Sequence, residues 1–394
     1  MKICLIAPRV SKVKGAFIGG SVNNVVNLSK ELAKKHTVHL ITTPPFYQHS
    51  STALGIDWCV VHQLNIKGDL SNLQWGTEFL IKAIRAIIRL NKKEKFDVIN
   101  SHSGIPKLGL VTGIAAQICG ISSIHTQYTP IISPSKVDKL RHSIFSSQRL
   151  LSSPIFSKLY FSKLDCIVSV SENVAKSVSK VFNKKIEVIP PCIDVSRFDS
   201  SDPDLNLKIR IKSGNEKIIL FLGEKESKGI KVLVEAIKEV KKEREVKVVI
   251  IGSPDNKQIR EKIKKIEDSV ILLDVVNMSS ILPLSDIFVA PFLSTFDISD
   301  CPLSVLEAMA AGKVVIASNI GGIPEIIEHE RNGILVEPGN FYALAKAILS
   351  LLEDEEKRKR LGENAYISVR RTFSAEKIAE RYIKLYEEIA TAKK

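Results

Sequence analysis

Short runs of β-branched and apolar residues alternate along this chain with longer runs whose apolar positions recur at helical spacing. In the first half the short runs are "KICLIAP", "HTVHLIT", "FDVINSH", "SSIHTQY", "CIVSVS" and "KIEVIP". Helical runs such as "VNNVVNLSKELAKK" and "EFLIKAIRAIIRLNKK" lie between several of them. In the latter, Phe79, Ala83, Ala86, Ile87 and Leu90 share one face and Lys82, Arg85 and Arg89 share another. A second series starts after residue 210 with "EKIILFLG". It continues through helix "IKVLVEAIKEVKKE", strands "VKVVIIG", "SVILLD" and "DIFVAPF", helix "PLSVLEAMAAG", strand "KVVIAS" and helix "FYALAKAILSLLED". Alternating strands and helices predict a parallel sheet covered on both faces. The two series are separated by "IPPCIDVSRFDSSDPDLNL", whose Pro, Asp and Ser content reads as a linker. From Ser374 to Ile389 an amphipathic helix is expected, with Ser374 as its N-cap and Ile378, Tyr382, Tyr386 and Ile389 on one face. The pattern predicts an α/β protein of two doubly wound domains facing across a cleft, with ligands beyond the carboxyl ends of the strands.

The length of 394 residues agrees with two domains, and 44% apolar residues suit packed cores. The six cysteines, Cys4, Cys59, Cys119, Cys166, Cys192 and Cys301, are far apart and form no C-x-x-C pair. They read as reduced thiols in a cytoplasmic protein. The N-terminal "MKICLIAP" is too short for the apolar part of a signal peptide. The uncharged stretch Leu108–Ile124 is interrupted by Gly109, Gly113, Gln117 and Gly120, so it reads as helix then strand, not as a membrane span. Charge changes the picture more. Residues 1–195 hold 25 Lys and Arg against 11 Asp and Glu, and the rest of the chain holds 32 of each. The whole net charge of +14 therefore sits in the first half. Either that half meets an anionic partner or it carries a solvated basic surface.

Familiar nucleotide motifs are missing: no G-x-G-x-x-G follows the first strand and there is no G-x-x-x-x-G-K-[ST]. Gly19-Gly20-Ser21 opens the first helix instead, where backbone amides can approach an anion or simply make a turn. The stretch "SDCPLSVLEAMAAG" holds a lone acid, Glu307, among apolar helix residues, with Pro302 suited to the first turn. His102 and His125 end adjacent predicted strands.

These residues carry a family resemblance. "PLSVLEAMAAGKVVIASNIGGIPEIIEHERNGILVEPGN" is similar to the signature of the retaining nucleotide-sugar glycosyltransferases of family 4, which have the GT-B fold. "GGSVNNVVNLSKELAKKHTVHLIT", "SVSENVAKSV", "KIEVIPPCIDVSRF" and "GEKESKGIKVLVEAI" support it in the expected order. The resemblance implies two Rossmann-like domains: residues 1–195 for the acceptor, residues 196–373 for the nucleotide sugar, and a C-terminal helix, 374–394, packing back on the first. It implies that Glu307 accepts the ribose hydroxyls, as an ionised carboxylate can. The amides of Leu303 and Ser304 then face the diphosphate, Gly20 lies on the donor side, and Lys228 stabilises the departing phosphate. His125 matches the family's active-site histidine, with His102 an acceptor-side candidate. No metal and no cofactor are implied, because cations take the metal's place.

Several positions depart from the family. Its first glutamate, eight residues before Glu307, is Ser299 here, with Asp300 beside it and Asp297 nearby. Asp300 reads either as a carboxylate for the donor sugar or as a helix N-cap. The usual Gly-Arg is Gly223-Glu224, followed by Lys225, a point charge in place of a guanidinium fork. The usual Asn-Gly is Pro191-Cys192. The expected reaction moves a hexose from a nucleoside diphosphate sugar to a hydroxyl or phosphate acceptor, a glycan or a lipid-linked one. The alternatives are a sugar-nucleotide epimerase of the same fold and a basic nucleic-acid-binding protein, although no nucleic-acid module is present. Finally, Thr129–Lys163 carries Lys136, Lys139, Arg141, Arg149, Lys158 and Lys163 against Asp138, interleaved with large apolar residues. That mixture suits an anionic membrane surface, and equally a helix with a solvated basic face.

Overall fold

The computed structural model describes all residues except 9, 11, 14–15, 18, 44–54, 65–72, 132–153, 200–204, 212–215, 224–225, 253–255, 275, 296–297 and 394. The first sheet has strands β1 (Lys2–Ile6), β2 (Thr37–Thr42), β3 (Val60–Gln63), β4 (Val98–Ser103), β5 (Ser122–Gln127), β6 (Cys166–Ser169) and β7 (Lys185–Val188). They lie in the order β3-β2-β1-β4-β5-β6-β7, every neighbour parallel. Helices α1 (Gly20–Ala33), α2 (Leu73–Glu94), α3 (Lys107–Cys119), α4 (Pro154–Phe161) and α5 (Glu172–Val178) connect them. In the second sheet, β8 (Lys217–Leu222), β9 (Val246–Ile251), β10 (Val270–Leu273), β11 (Ile287–Ala290), β12 (Val314–Ser318) and β13 (Ile334–Val336) lie in the order β10-β9-β8-β11-β12-β13. These are parallel too. Helices α6 (Ile230–Val240), α7 (Leu303–Ala310), α8 (Phe341–Glu353) and α9 (Glu355–Thr372) pack against this sheet.

Strand order reverses between β1 and β4 in the first sheet and between β8 and β11 in the second. Loops leaving the carboxyl ends of such strand pairs part to opposite faces and leave a crevice. The crevice of the first sheet therefore holds the loop into α1 and the end of β4. That of the second holds the loop into α6 and the segment that leads to α7.

The chain crosses between the domains twice, at one place. Ile193 N–H donates to Phe373 O at 2.9 Å and Ala375 N–H donates to Ile193 O at 2.8 Å. Helix α10 (Ala375–Thr391) then returns to the N-terminal domain, as the sequence predicts. Ser374 caps it, and Ile378, Tyr382, Leu385 and Tyr386 enter the core around Leu5, Val25 and Leu40. The central strands beneath α10 are buried yet polar, "VINSHS" and "SSIHTQ". Buried polar groups need partners. Asn100 Nδ2 donates to the Tyr386 hydroxyl at 2.8 Å, and Thr126 Oγ1 donates to Asn100 Oδ1 at 3.2 Å. Thr126 Oγ1 and the Tyr382 hydroxyl lie 3.3 Å apart. The phenol groups thus fasten α10 to the sheet as well as filling its core. Cys4, Cys166, Cys192 and Cys301 are buried and free, while Cys59 and Cys119 are partly exposed and free.

Candidate functional site

Helix α7 follows β11 at the second reversal point. Pro302 precedes it in extended geometry and supplies no side-chain cap, so the first-turn amides of Leu303 and Ser304 are not capped by a side chain from that position. The turn meets the N-terminal domain: a methyl built on Gly20 would lie 3.9 Å from Leu303 Cβ. Gly20 and Leu303, 283 residues apart in the chain, lie close together across the domain seam. One turn on, Glu307 is 5% exposed, and its carboxylate oxygens are not among the fully buried polar atoms left without a partner. Burial pushes its acid up to about 7, against the pull of the Arg197 guanidinium. Ionising an acid in so apolar a surrounding is costly, and a ligand bringing two hydroxyls would relieve that cost.

Lys228 ends a short 3-10 turn, Glu226–Lys228, in the connection from β8 to α6, and β8 neighbours β11. Its aliphatic stem crosses Gly223 so closely that a Cβ there would sit 2.2 Å from Lys228 Cδ. Ser227 O, beside it, accepts from Leu293 N–H at 2.7 Å, which ties this loop to the segment leading towards α7. Lys225 and Asp297 lie outside the described residues. Among the described residues no group of three or more His, Cys, Asp and Glu is arranged to hold a metal ion.

The two histidines lie deeper than their places in the sequence suggest. His125 is 0% exposed, with Nδ1 2.8 Å from Ser101 Oγ and Nε2 3.0 Å from Gln127 Oε1. An amide oxygen only accepts, so Nε2 carries the proton and Nδ1 accepts from the serine. Burial holds this imidazole neutral, with its acid lowered to about 4. Both ring nitrogens are occupied and the ring faces Phe161 at 5.6 Å, so His125 offers the cleft no open nitrogen in this arrangement. His102 Nδ1 lies 3.1 Å from the Tyr128 hydroxyl, which also accepts from Asn24 Nδ2. The phenol therefore donates to His102 Nδ1, leaving a buried Nε2 without a hydrogen-bond partner. Burial, with His125 as the lesser cause, lowers the His102 acid to about 3.

Asp300 does not point to a donor sugar, and it does not cap α7. Its side chain is 0% exposed and turns to the N-terminal domain. Ser171 Oγ donates to its Oδ2 at 2.6 Å and Asn173 Nδ2 donates to its Oδ1 at 2.9 Å. Reading Asp300 from its neighbours alone fails because those partners come from across the domain seam. Ser299 donates its hydroxyl to Cys301 O at 3.0 Å. Ser171, Asn173, Tyr128 and Glu325 escape sequence reasoning as site residues. Ser171 leaves the one local signal, a serine N-cap whose Oγ accepts from Val174 N–H.

Residues 18–197 match a family model described as Glycosyltransferase Family 4, and residues 216–354 match one described as Glycosyl transferases group 1. The N-acetyl-alpha-D-glucosaminyl L-malate synthase of Bacillus anthracis is 27% identical over 387 residues, covering 94% of this chain and 94% of that protein. The Escherichia coli UDP-Gal:alpha-D-GlcNAc-diphosphoundecaprenol alpha-1,3-galactosyltransferase is 27% identical over 290 residues, covering 70% and 71%. Among solved structures, HepE from Anabaena in complex with UDP and glucose is similar in fold, with TM-score 0.76 and 19% identity over 98% of this chain and 99% of that one. No described helix is long and apolar enough to cross a membrane.

Proposed function

We infer the reaction from the premise that the chain belongs to glycosyltransferase family 4 and is a glycosyltransferase. It takes a nucleoside diphosphate sugar and moves the hexose to a hydroxyl or phosphate acceptor. The observation that carries this reading is Glu307, a 5% exposed acid raised to about 7 by burial, one turn after a helix start at Leu303 that packs close to Gly20 of the N-terminal domain. Ribose hydroxyls donate to its carboxylate. The Leu303 and Ser304 amides and the Lys228 ammonium meet the diphosphate, where charge develops as the glycosidic bond breaks. No described side chain is placed as a nucleophile. Retention follows from same-face attack, with the departing phosphate taking the acceptor's proton. The cations and helix amides do the work of a metal, and no cofactor takes part. Neither an epimerase nor a nucleic-acid-binding protein gains support from the fold or from the relatives' names.

The protein works in the cytoplasm, at the inner face of a membrane. Two observations support that site: the basic excess of residues 1–195 and the outward face of α4, where Ile155 and Leu159 flank Lys158. Lys136, Lys139, Arg141 and Arg149 lie outside the described residues. The galactosyltransferase relative acts, by its name, on a diphosphoundecaprenol-linked sugar, which favours a lipid-linked acceptor here.

The test is a panel of labelled nucleotide sugars incubated with the enzyme in EDTA, with and without lipid extract. We expect release of nucleoside diphosphate from one donor, stimulated by an acceptor. If no nucleotide sugar binds at millimolar concentration, the donor assignment is wrong. If turnover is abolished by EDTA and restored by Mn²⁺ or Mg²⁺, the metal-free mechanism is wrong.

A further inference from the structure

The seam between the domains is fastened where the donor loop begins. Asp300 accepts two hydrogen bonds from the N-terminal domain, from Ser171 Oγ and Asn173 Nδ2. On its own side, Thr295 and the Gly322 backbone favour its ionised form against the effect of burial. The Asp300 N–H donates to Tyr128 O at 2.9 Å, again across the seam. Glu325 repeats the pattern beside it: its two carboxylate oxygens accept from the amides of Glu172 at 2.9 Å and Asn173 at 3.2 Å, at the start of α5. The fit is tight. A Cβ on Gly322 would stand 2.8 Å from Ser171 Cβ and 2.9 Å from Asp300 Oδ2.

Asp300 stands three residues before Leu303, so whatever fixes its carboxylate fixes the start of α7. We propose that Asp300 is a positioning residue whose carboxylate, held by Ser171 and Asn173, sets the diphosphate-binding turn of α7 against the N-terminal domain when the cleft is closed. This rests on the reading that α7 takes the donor diphosphate. The chemistry of the clasp suits a joint that must also open. An apolar seam would lose burial on opening, whereas a carboxylate exchanges its serine and asparagine donors for water at small net cost. The clasp therefore contributes geometry more than stability. Among the described residues neither carboxylate forms an ion pair, and neutral donors and the α5 amides take that role.

The clasp separates chemistry from nucleotide binding, and the variants Ser171→Ala, Asn173→Ala and Asp300→Asn test it in the full-length enzyme. Ser171 and Asn173 lie on the opposite domain from the donor, so they carry the test even if Asp300→Asn folds poorly. We expect kcat to fall at least tenfold in Asp300→Asn and severalfold in each of the other two. The Kd for free nucleoside diphosphate should stay within about threefold of wild type. Asp300→Asn combined with Ser171→Ala should be no worse than Asp300→Asn alone, since both remove one contact. Wild-type kcat in the Ser171 and Asn173 variants overturns the clasp, as does a loss of nucleoside diphosphate affinity in step with kcat. Failure of the wild-type enzyme to bind any nucleoside diphosphate would instead overturn the donor reading itself.

Discussion

Glu307 owes its behaviour to where it sits. An acid raised from 4.5 to about 7 binds a proton in the folded state that it has already lost in the unfolded chain. Between those values the native protein holds more protons, so stability falls as pH rises through the window, by at most roughly 3 kcal/mol. Below pH 4.5 the residue costs nothing. Ribose hydroxyls favour the ionised form, so nucleotide binding near pH 7 should release a proton. Calorimetry in two buffers of different ionisation enthalpy reads this directly. Glu307→Gln should abolish the release, stabilise the apo protein at pH 8 and weaken nucleotide binding by ~1–3 kcal/mol. Proton-neutral binding by the wild type would remove Glu307 from the ribose site. This residue was legible in the sequence because an acid between apolar neighbours is unusual at any helix position. His125 and Asp300 were legible as notable but not in role. Strand alternation fixes which face a side chain takes, yet Ser101, Gln127, Ser171 and Asn173, which decide their hydrogen bonds, are placed by packing at long range.

At the scale of elements, the loop from β8 to α6 shows how a glycine serves a cation. Because the Lys228 stem passes over Gly223, whose φ of 153° already disfavours any side chain, an alanine there would displace the lysine stem. Gly223→Ala should therefore depress kcat much as Lys228→Ala does, since the ammonium acts on the departing phosphate. Steady-state kinetics on both variants check this, and wild-type kcat in Lys228→Ala would defeat the assignment. Strands and helices with a wide apolar face were readable from the sequence, including β1, β8, β11, α7 and α8. Two kinds of element were not. β3, "VVHQ", is a half-buried edge strand, and β13, "ILV", is too short to show a period. Helix α9 is dominated by charge, and only Arg358, Leu361, Gly362, Ala365 and Val369 are buried along it, too narrow a stripe to stand out.

Across the whole molecule, the charge excess lies in the N-terminal half, while exposed large apolar side chains occur in both halves, among them Ile155 and Leu159 in the first and Leu205, Ile209 and Tyr342 in the second. In α4, Ser157, Tyr160 and Phe161 are buried, which leaves Ile155 at 81% and Leu159 at 57% exposure on the outward face with Lys158 between them. The proposed membrane-surface site would use these two branched aliphatics as its apolar contact. At an anionic bilayer the aliphatics enter the head-group boundary and nearby cations each contribute about 1 kcal/mol. That attraction is screened by salt, while insertion of the aliphatics is not. The two contributions can be separated. Charge reversal at Lys139, Arg141 and Arg149 should lower binding to anionic vesicles most at low salt. Ile155→Asp with Leu159→Asp should lower it at every salt concentration. Ile155 and Leu159 are exposed and are not donor-site candidates, so in that double variant turnover on a water-soluble acceptor should stay near wild type while turnover on a lipid-linked one falls. Vesicle co-sedimentation of the wild type at low and high salt decides the matter. If it stays in the supernatant with anionic vesicles at low salt, the membrane-surface reading fails, and a soluble acceptor takes its place.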